Sequence, residues 1–434
     1  MKLSRITLAC LLATSGMTIS STANAGITQE FEFGGYFREG LLFSAENDFK
    51  DAGTSGGQKE TLGRLGLEYD SDASINFASI WTFDNGNEIR VGAGFDENAE
   101  MGVGVEITGI TPTGTLWAGD TGHGQDNYIF MTDFFYTEMS GTGIGVDAYE
   151  VGDFLIDAAY IASNRDDDDF NQDDSSFANN ENLDNYMHLL NLAVTYNSFE
   201  VSVSVKGMPD NWSEEGTEYA ETGADLTLIY TLDDFFWTGK GQGTIIAQAG
   251  VGLGAGNLLG GTINDYNAYH PGSLFQGEHA DYSWLGSKGD ANRLLTYVNE
   301  KDTSARLLIW GGYTFDNGIA VFPSIQAQYN DHYDNGAGQY NQDFGQYDYW
   351  ASAMARAYLP VNDVMFVQTE LGMVHNNWNG TSYRQQKATI APTFIMGTGT
   401  VTPEIRLFAS YIKNAWSVDD GDDVLVGIQT EVTW

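Results

Sequence analysis

Asp423 to Trp434 reads DVLVGIQTEVTW: Val424, Val426, Ile428, Val432 and Trp434 alternate with Leu425, Gly427, Gln429, Glu431 and Thr433, and an aromatic closes the stretch. Successive side chains of a β-strand point to opposite faces, so the pattern describes a strand with one apolar and one mixed face. Two settings satisfy it. One is a half-buried strand of a soluble sandwich. The other is the closing strand of an outer-membrane barrel, with lipid on one side, water on the other and an aromatic ring at the interface. The rest of the chain must choose between them.

The first 25 residues, MKLSRITLACLLATSGMTISSTANA, put Lys2 and Arg5 ahead of an apolar run and Ala23-Asn24-Ala25 before Gly26, the layout of a secretory signal peptide cleaved after Ala25. Cys10 is the single cysteine and falls inside this segment, so residues 26–434 have neither thiol nor disulfide. Without Lys2 and Arg5 the chain carries 17 basic against 60 acidic residues, and its formal charge moves from −41 to −43. Such a surface repels phosphate backbones, which excludes nucleic acid as a partner. Beyond the signal segment no stretch reaches the roughly 18 apolar residues a spanning helix needs, so membrane residence requires a closed barrel. Aromatic residues at 13% argue against disorder.

Alternating segments recur along residues 26–434, with no repeat of solenoid type and no Pro-rich linker, which implies a single domain. The gaps between them are of two kinds. Short ones at Asp84-Asn85-Gly86, Asn197-Ser198, Asp316-Asn317-Gly318 and Leu359–Asn362 carry tight-turn residues; long polar ones fall near 40–60, 164–185, 208–222, 253–303, 330–346 and 374–383. Short periplasmic turns and long outer loops are the asymmetry of a barrel. The expected fold is therefore all-β, a transmembrane antiparallel up-and-down β-barrel of about 18 strands. Among those strands are 62–83, 128–138 and 145–163, each read as one continuous strand.

Parity then sorts side chains between lipid and lumen. Phe31, Phe33 and Phe37 share one face of the first strand, against Glu32, Tyr36 and Arg38 on the other. The second strand is expected to point Leu65, Leu67 and Tyr69 outward and Arg64, Glu68, Asp70 and Asp72 inward; further on, Asp133 and Phe135 share a face, and Arg306, Trp310, Trp350, Arg356, Glu404, Arg406 and Phe408 turn inward. Aromatic faces beside ionic groups suit sugars, whose C–H faces lie on rings and whose hydroxyls bond to carboxylates and guanidinium groups. Inward aromatics that fill space or brace a folded-in loop fit the same residues.

Several stretches resemble the maltoporin type of carbohydrate-selective porin. FEFGGYFREG is similar to that family's opening strand, GTLWAGDTGHGQDNYIFMTDFFYTEMSGTGIGV to its segment through the constriction loop, and TPEIRLFASYIKNAW and VGIQTEVTW to its last two strands. The resemblance implies an 18-stranded homotrimeric outer-membrane pore that passes maltodextrin-type oligosaccharides along an aromatic slide beside a polar track. An inward-folded constriction loop is expected near 119–128. Tyr36 matches a slide tyrosine, Arg38 and Arg64 polar-track arginines, Asp133 a constriction carboxylate, and Phe135 stands for a constriction tyrosine. The sequence departs from the family at Thr400 and Thr433, where slide tryptophans are expected, at Asp72 for a slide tyrosine, at Asp126 for a loop arginine, and over Asp96–Glu100, a loop without an aromatic. The sugar-contacting rings are expected to be Tyr36, Phe135, Trp310, Trp350 and Phe408, and the polar and constriction groups Arg38, Arg64, Glu68, Asp133 and Arg406. A general cation-biased diffusion pore is the alternative reading of the same lumen.

The six histidines accompany no G-x-S-x-G or H-E-x-x-H motif, so an enzyme is not expected and no cofactor or dedicated metal site is implied. The acidic runs at Asp166–Asp169, Asp173-Asp174, Glu214-Glu215 and Asp419–Asp423 lack EF-hand spacing; diffuse divalent-cation binding there and lipid around the barrel complete the expected partners.

Overall fold

The computed structural model describes residues 19–22, 27–52, 56–68, 71–96, 101–124, 128–132, 134–164, 186–209, 220–262, 298–331, 347–378, 381–396, 401–415 and 421–434. Eighteen strands form a closed antiparallel barrel in which each pairs with its sequence neighbours. They are β1 (Ile27–Ser44), β2 (Asp72–Phe83), β3 (Glu88–Asp96), β4 (Met101–Thr108), β5 (Thr115–His123), β6 (Met139–Val151), β7 (Phe154–Asn164), β8 (Tyr186–Tyr196) and β9 (Phe199–Gly207). The second half comprises β10 (Thr222–Leu232), β11 (Gln242–Gly252), β12 (Thr303–Thr314), β13 (Ala320–Asp331), β14 (Tyr347–Asn362), β15 (Met365–Trp378), β16 (Thr381–Ile395), β17 (Thr402–Lys413) and β18 (Asp423–Thr433). Ile19–Thr22, inside the expected signal segment, pairs with Thr28–Phe31.

β18 closes the barrel. β18 pairs with β1 from Tyr36 opposite Thr433 to Ser44 opposite Leu425, while the other edge of β1 pairs with β2 from Ile27 opposite Phe83 to Arg38 opposite Asp72. Trp434 lies across the outer face of Gly35, where a Cβ would come within 2.4 Å of the indole. The parity of β1 is as expected: Phe31, Phe33 and Phe37 are exposed on the lipid side and Arg38 is buried. β8 shows the alternation clearly, with Leu190 and Leu192 outward between buried Leu189, Asn191 and Ala193.

Three expected strands are corrected. Residues 62–83 are not one strand: Gly56–Leu62 is a short helix, α1, residues 63–68 turn inside the barrel, and the strand begins at Asp72. Leu65 and Leu67 therefore face no lipid; they are buried in the lumen with Leu62 against Leu42, Trp350, Val374, Phe408 and Leu425. Residues 128–138 cross no membrane either, forming only a small hairpin in which Tyr128–Ile129 pairs with Phe134–Phe135. The stretch 145–163 divides at the turn Gly152-Asp153 into β6 and β7. A surplus strand and a missed division cancel, and the count stays at 18.

Tyr69 and Asp70 lie outside the described residues, as do the acidic runs 166–169, 173–174, 214–215 and 419–420. Among the described residues no cluster of His, Cys, Asp and Glu is placed to hold a metal ion.

Candidate functional site

Among the described residues three segments enter the lumen and shape it. The first is the β5–β6 hairpin. Its ladder continues to His123 opposite Met139, yet the His123 ring lies 5.7 Å from that of Trp117, six residues back, and its Nδ1 is 3.5 Å from Asp147 Oδ1. Six residues of straight strand span about 20 Å, so the hairpin folds back on itself. Gly119 at φ 127 and Gly141 at φ 143 supply the bend, in a region L side chains rarely adopt. Beyond it, Ile129, Met131 and Tyr136 are buried against Ile229, Ile246, Leu308, Trp310 and Met354. Gln248 Nε2 donates to the Tyr136 carbonyl at 2.6 Å, and the Glu138 amide donates to Gly260 O at 3.0 Å, tying the hairpin to the strand β11 and to the second inserted segment, 253–262.

The third segment is α1 with residues 63–68. Glu370 on β15 is fully buried beneath it and accepts from Arg356 Nε at 2.6 Å, Lys387 Nζ at 2.6 Å and the Leu65 amide at 3.1 Å. Lys387 also donates to the carbonyls of Leu65, at 2.7 Å, and Gly63. A buried carboxylate flanked by two cations is tolerable only with its lone pairs satisfied, and here the inserted backbone completes the set.

Against this segment stands a polar cluster made of residues far apart in sequence. Glu68 sits 3.1 Å from Arg64 Nε and 3.4 Å from both Arg38 Nη1 and Arg406 Nη1. Arg406 reaches Glu431 at 2.6 Å, Glu404 at 2.5 Å and Gln429 Oε1 at 2.5 Å, and the Tyr36 hydroxyl donates to Glu431 at 3.0 Å. Arg38 lies 5.9 Å from the Tyr36 ring centroid and 3.4 Å from Asp72. The structure thus brings Tyr36, Arg38, Arg64, Glu68 and Arg406 together. Sequence reading named those five and missed Glu431 and Gln429, although both share the inward parity of Leu425 on β18.

The inward tryptophans occupy a different setting. Trp310 is buried under the β5–β6 hairpin, and Trp350 and Phe408 under Leu62, Leu65 and Leu67. Asp133, the side chain of Phe135, Asp126, Thr400 and residues 97–100 lie outside the described residues.

A run of half-buried rings extends instead from the hairpin toward the short-turn end of the barrel. Phe130 meets Phe322 edge-on with centroids 5.1 Å apart, Phe322 meets Tyr358 at 5.6 Å, and Tyr358 meets Phe366 at 5.4 Å. The Arg356 guanidinium carbon is 5.4 Å from the Phe130 centroid. Register places Phe322 opposite Arg356, Tyr358 opposite Gln368 and Phe366 opposite Pro360, all on the lumen face. The signal was available: Tyr358 shares the parity that puts Trp350 and Arg356 inward.

Opposite this filled sector, lumen positions of β3, β4 and β6 are held by Gly92, Gly94, Gly102, Gly104, Gly143 and Gly145. There Arg90 bridges Glu106 at 3.1 Å and Glu32 at 3.4 Å, and all three side chains stay between a third and a half exposed.

Residues 31–434 match the family model described as LamB porin. The chain belongs to the LamB porin family. The curated relatives of this LamB porin include Maltoporin 1 of Klebsiella pneumoniae, 23% identical and covering 98% of both chains, and Maltoporin 2 of Yersinia pseudotuberculosis, 25% identical and covering 100% of both. Maltoporin of Vibrio cholerae is 24% identical over 96% of this chain and 98% of that one. Among solved structures, OpdQ of Pseudomonas aeruginosa aligns over 93% of this chain and 97% of its own at 10% identity and a TM-score of 0.46. A LamB porin resides in the outer membrane and is a channel rather than an enzyme, and the barrel, its lipid-facing belt and its polar lumen accord with that.

Proposed function

We propose that this porin passes oligosaccharides of the maltodextrin type, as a homotrimer, along the rings of Phe130, Phe322, Tyr358 and Phe366. The observation that carries the reading is the continuity of those rings: centroid spacings of 5.1, 5.6 and 5.4 Å leave no gap as wide as a pyranose. A glucosyl chain would keep a C–H face on one ring before leaving the last, so no single step abandons all apolar contact. Tyr36, Arg38, Arg64, Glu68, Arg406 and Glu431 form the polar side of the path, offering donors and acceptors to equatorial hydroxyls while held rigid by one another. Trp310, Trp350 and Phe408 serve as the floor on which the inserted segments rest.

The test is single-channel conductance with added maltohexaose. Concentration-dependent closure is expected, and Tyr358→Ala should weaken it roughly 2- to 10-fold, the loss of one ring contact of about 0.5–1.5 kcal/mol. Trp81→Ala, on the lipid face of β2, should leave it unchanged. Conductance indifferent to the sugar, or equal effects of the two variants, would leave a general diffusion pore. That second reading has its own support in the half-exposed Glu32 and Glu106 beside Arg90, which favour cations in the open sector.

A further inference from the structure

Lys and Arg occupy nine positions on the described barrel strands, and seven of them turn into the lumen. The two exceptions, Arg384 on β16 and Lys413 on β17, face outward and lie beside each other. Gln385 and Lys387, one and three residues after Arg384, are buried, and fully buried Ile412 precedes Lys413, which puts both cations on the lipid side. Lys413 stands opposite Gln386, so Arg384 is its diagonal neighbour. Neither makes an ion pair with any described residue.

The surroundings are built for more than solvent. His375 stands directly opposite Arg384, and its Nδ1 accepts from Arg384 Nε at 3.1 Å, so this bond does not use the guanidinium's terminal nitrogens, and the Arg384 side chain is exposed. The Tyr349 ring is 5.8 Å from that imidazole. All four residues lie near the outer ends of their strands, on the side away from Trp434 and the short turns. Toward the membrane centre the same face carries exposed Leu371 and Met373 on β15, Ile390 on β16 and Leu407 on β17. Asp422, an outward carboxylate, accepts from the Tyr411 hydroxyl and the Asn414 amide and also lies in the field of Lys413, though not within ion-pair distance of it.

A chain with 60 acidic residues thus gathers the two lipid-facing cations of its described strands above an apolar strip. We propose that Arg384, Lys413 and His375 bind the phosphorylated headgroup of an acylated glycolipid of the outer leaflet. The phosphate lies between the guanidinium and the ammonium, the sugar edge reaches His375 and Tyr349, and the acyl chains run down over Leu371, Met373 and Ile390. Charge complementarity selects this occupant: a zwitterionic lipid gains little from a guanidinium and an ammonium of which only the latter has a carboxylate, Asp422, near it, and a second copy of so acidic a chain would need to bring an anionic group to the same height.

The experiment uses the full porin, refolded without lipid in non-ionic detergent and incubated with lipid A, with bound lipid counted by native mass spectrometry. Wild-type protein is expected to retain lipid A, and the double variant Arg384→Gln with Lys413→Gln roughly tenfold less, as loss of charge-assisted bonds implies. Lys240→Gln, at the opposite rim, should retain it like wild type, and unboiled gel mobility of every variant should report the folded barrel. Equal retention by the double variant overturns the proposal, as does equal retention of phosphatidylethanolamine by wild type. A double variant that loses its oligomer while keeping its lipid would assign the patch to contact between copies and overturn it as well.

Discussion

Along β3 and β4 the lumen face is made of Gly92, Gly94, Gly102 and Gly104; along β12 to β17 it is made of Arg306, Trp310, Arg356, Glu370, Lys387 and Phe408. Both sectors belong to one sheet with the same parity and the same lipid-facing belt, yet among the described residues one carries no side chains into the interior at these positions and the other fills it to contact. The difference lies in what the wall has to hold. The filled sector receives α1, the β5–β6 hairpin and residues 253–262, and each insertion brings leucines or backbone groups that need apolar contact or hydrogen bonds away from water. The glycine sector receives none of these and keeps its few charges partly solvated. A channel of this width can therefore be narrowed from one side while the other stays open, with no change in strand number.

The largest test of that contrast is removal of Glu370. Glu370→Ala would leave Arg356 and Lys387 buried without their shared carboxylate and release the Leu65 amide, a loss of about 3–5 kcal/mol for a broken buried network. Urea denaturation of the detergent-solubilised barrel measures it. Conductance should rise in the same variant as residues 56–68 lose their anchor. A variant as stable as wild type would mean that the leucines alone hold the segment.

A smaller effect on stability and an opposite one on flow are expected from the glycine sector. A Cβ at Gly92 meets nothing closer than 3.5 Å, so Gly92→Leu should change stability by less than about 1 kcal/mol while lowering single-channel conductance. Unchanged conductance would show that ions do not use this side.

The smallest effect belongs to the outer rim, away from both sectors. The Tyr411 hydroxyl and the Asn414 amide hold the Asp422 carboxyl below the usual carboxylate range. A depressed folded value means the contact is intact above the ordinary aspartate pKa of about 3.9 and is lost as pH falls through the lower one. Hydrogen exchange at the Asn414 amide should quicken only below that pH, and Asp422→Asn should remove the dependence.

Much of the barrel was legible in the chain. Phe31, Phe33 and Phe37 against Arg38 gave the faces of β1, and DVLVGIQTEVTW gave a closing strand whose partner proved to be β1. Inward parity also placed Tyr36, Arg38 and Arg406 on the lumen face, where they meet in one polar cluster. The failures share a cause. Leu65 and Leu67 have the spacing of lipid-facing leucines, and Tyr128 to Tyr136 that of a strand, yet both stretches lie inside the barrel. An alternating pattern states that one face is apolar; it cannot state whether that face meets lipid or another protein surface.

Strand order, the lipid-facing belt and the sign of the lumen's charges were thus fixed by local alternation, because each strand pairs only with its neighbours and parity passes unbroken along it. What fills the lumen was decided by tertiary contact. Glu370 becomes an anchor because Lys387, Arg356 and the Leu65 amide arrive from three separate parts of the chain, and Phe130 joins Phe322, Tyr358 and Phe366 because Gly119 and Gly141 turn a hairpin inward. Closing a barrel superposes residues hundreds of positions apart, and no period within a strand encodes which of them will meet across the lumen.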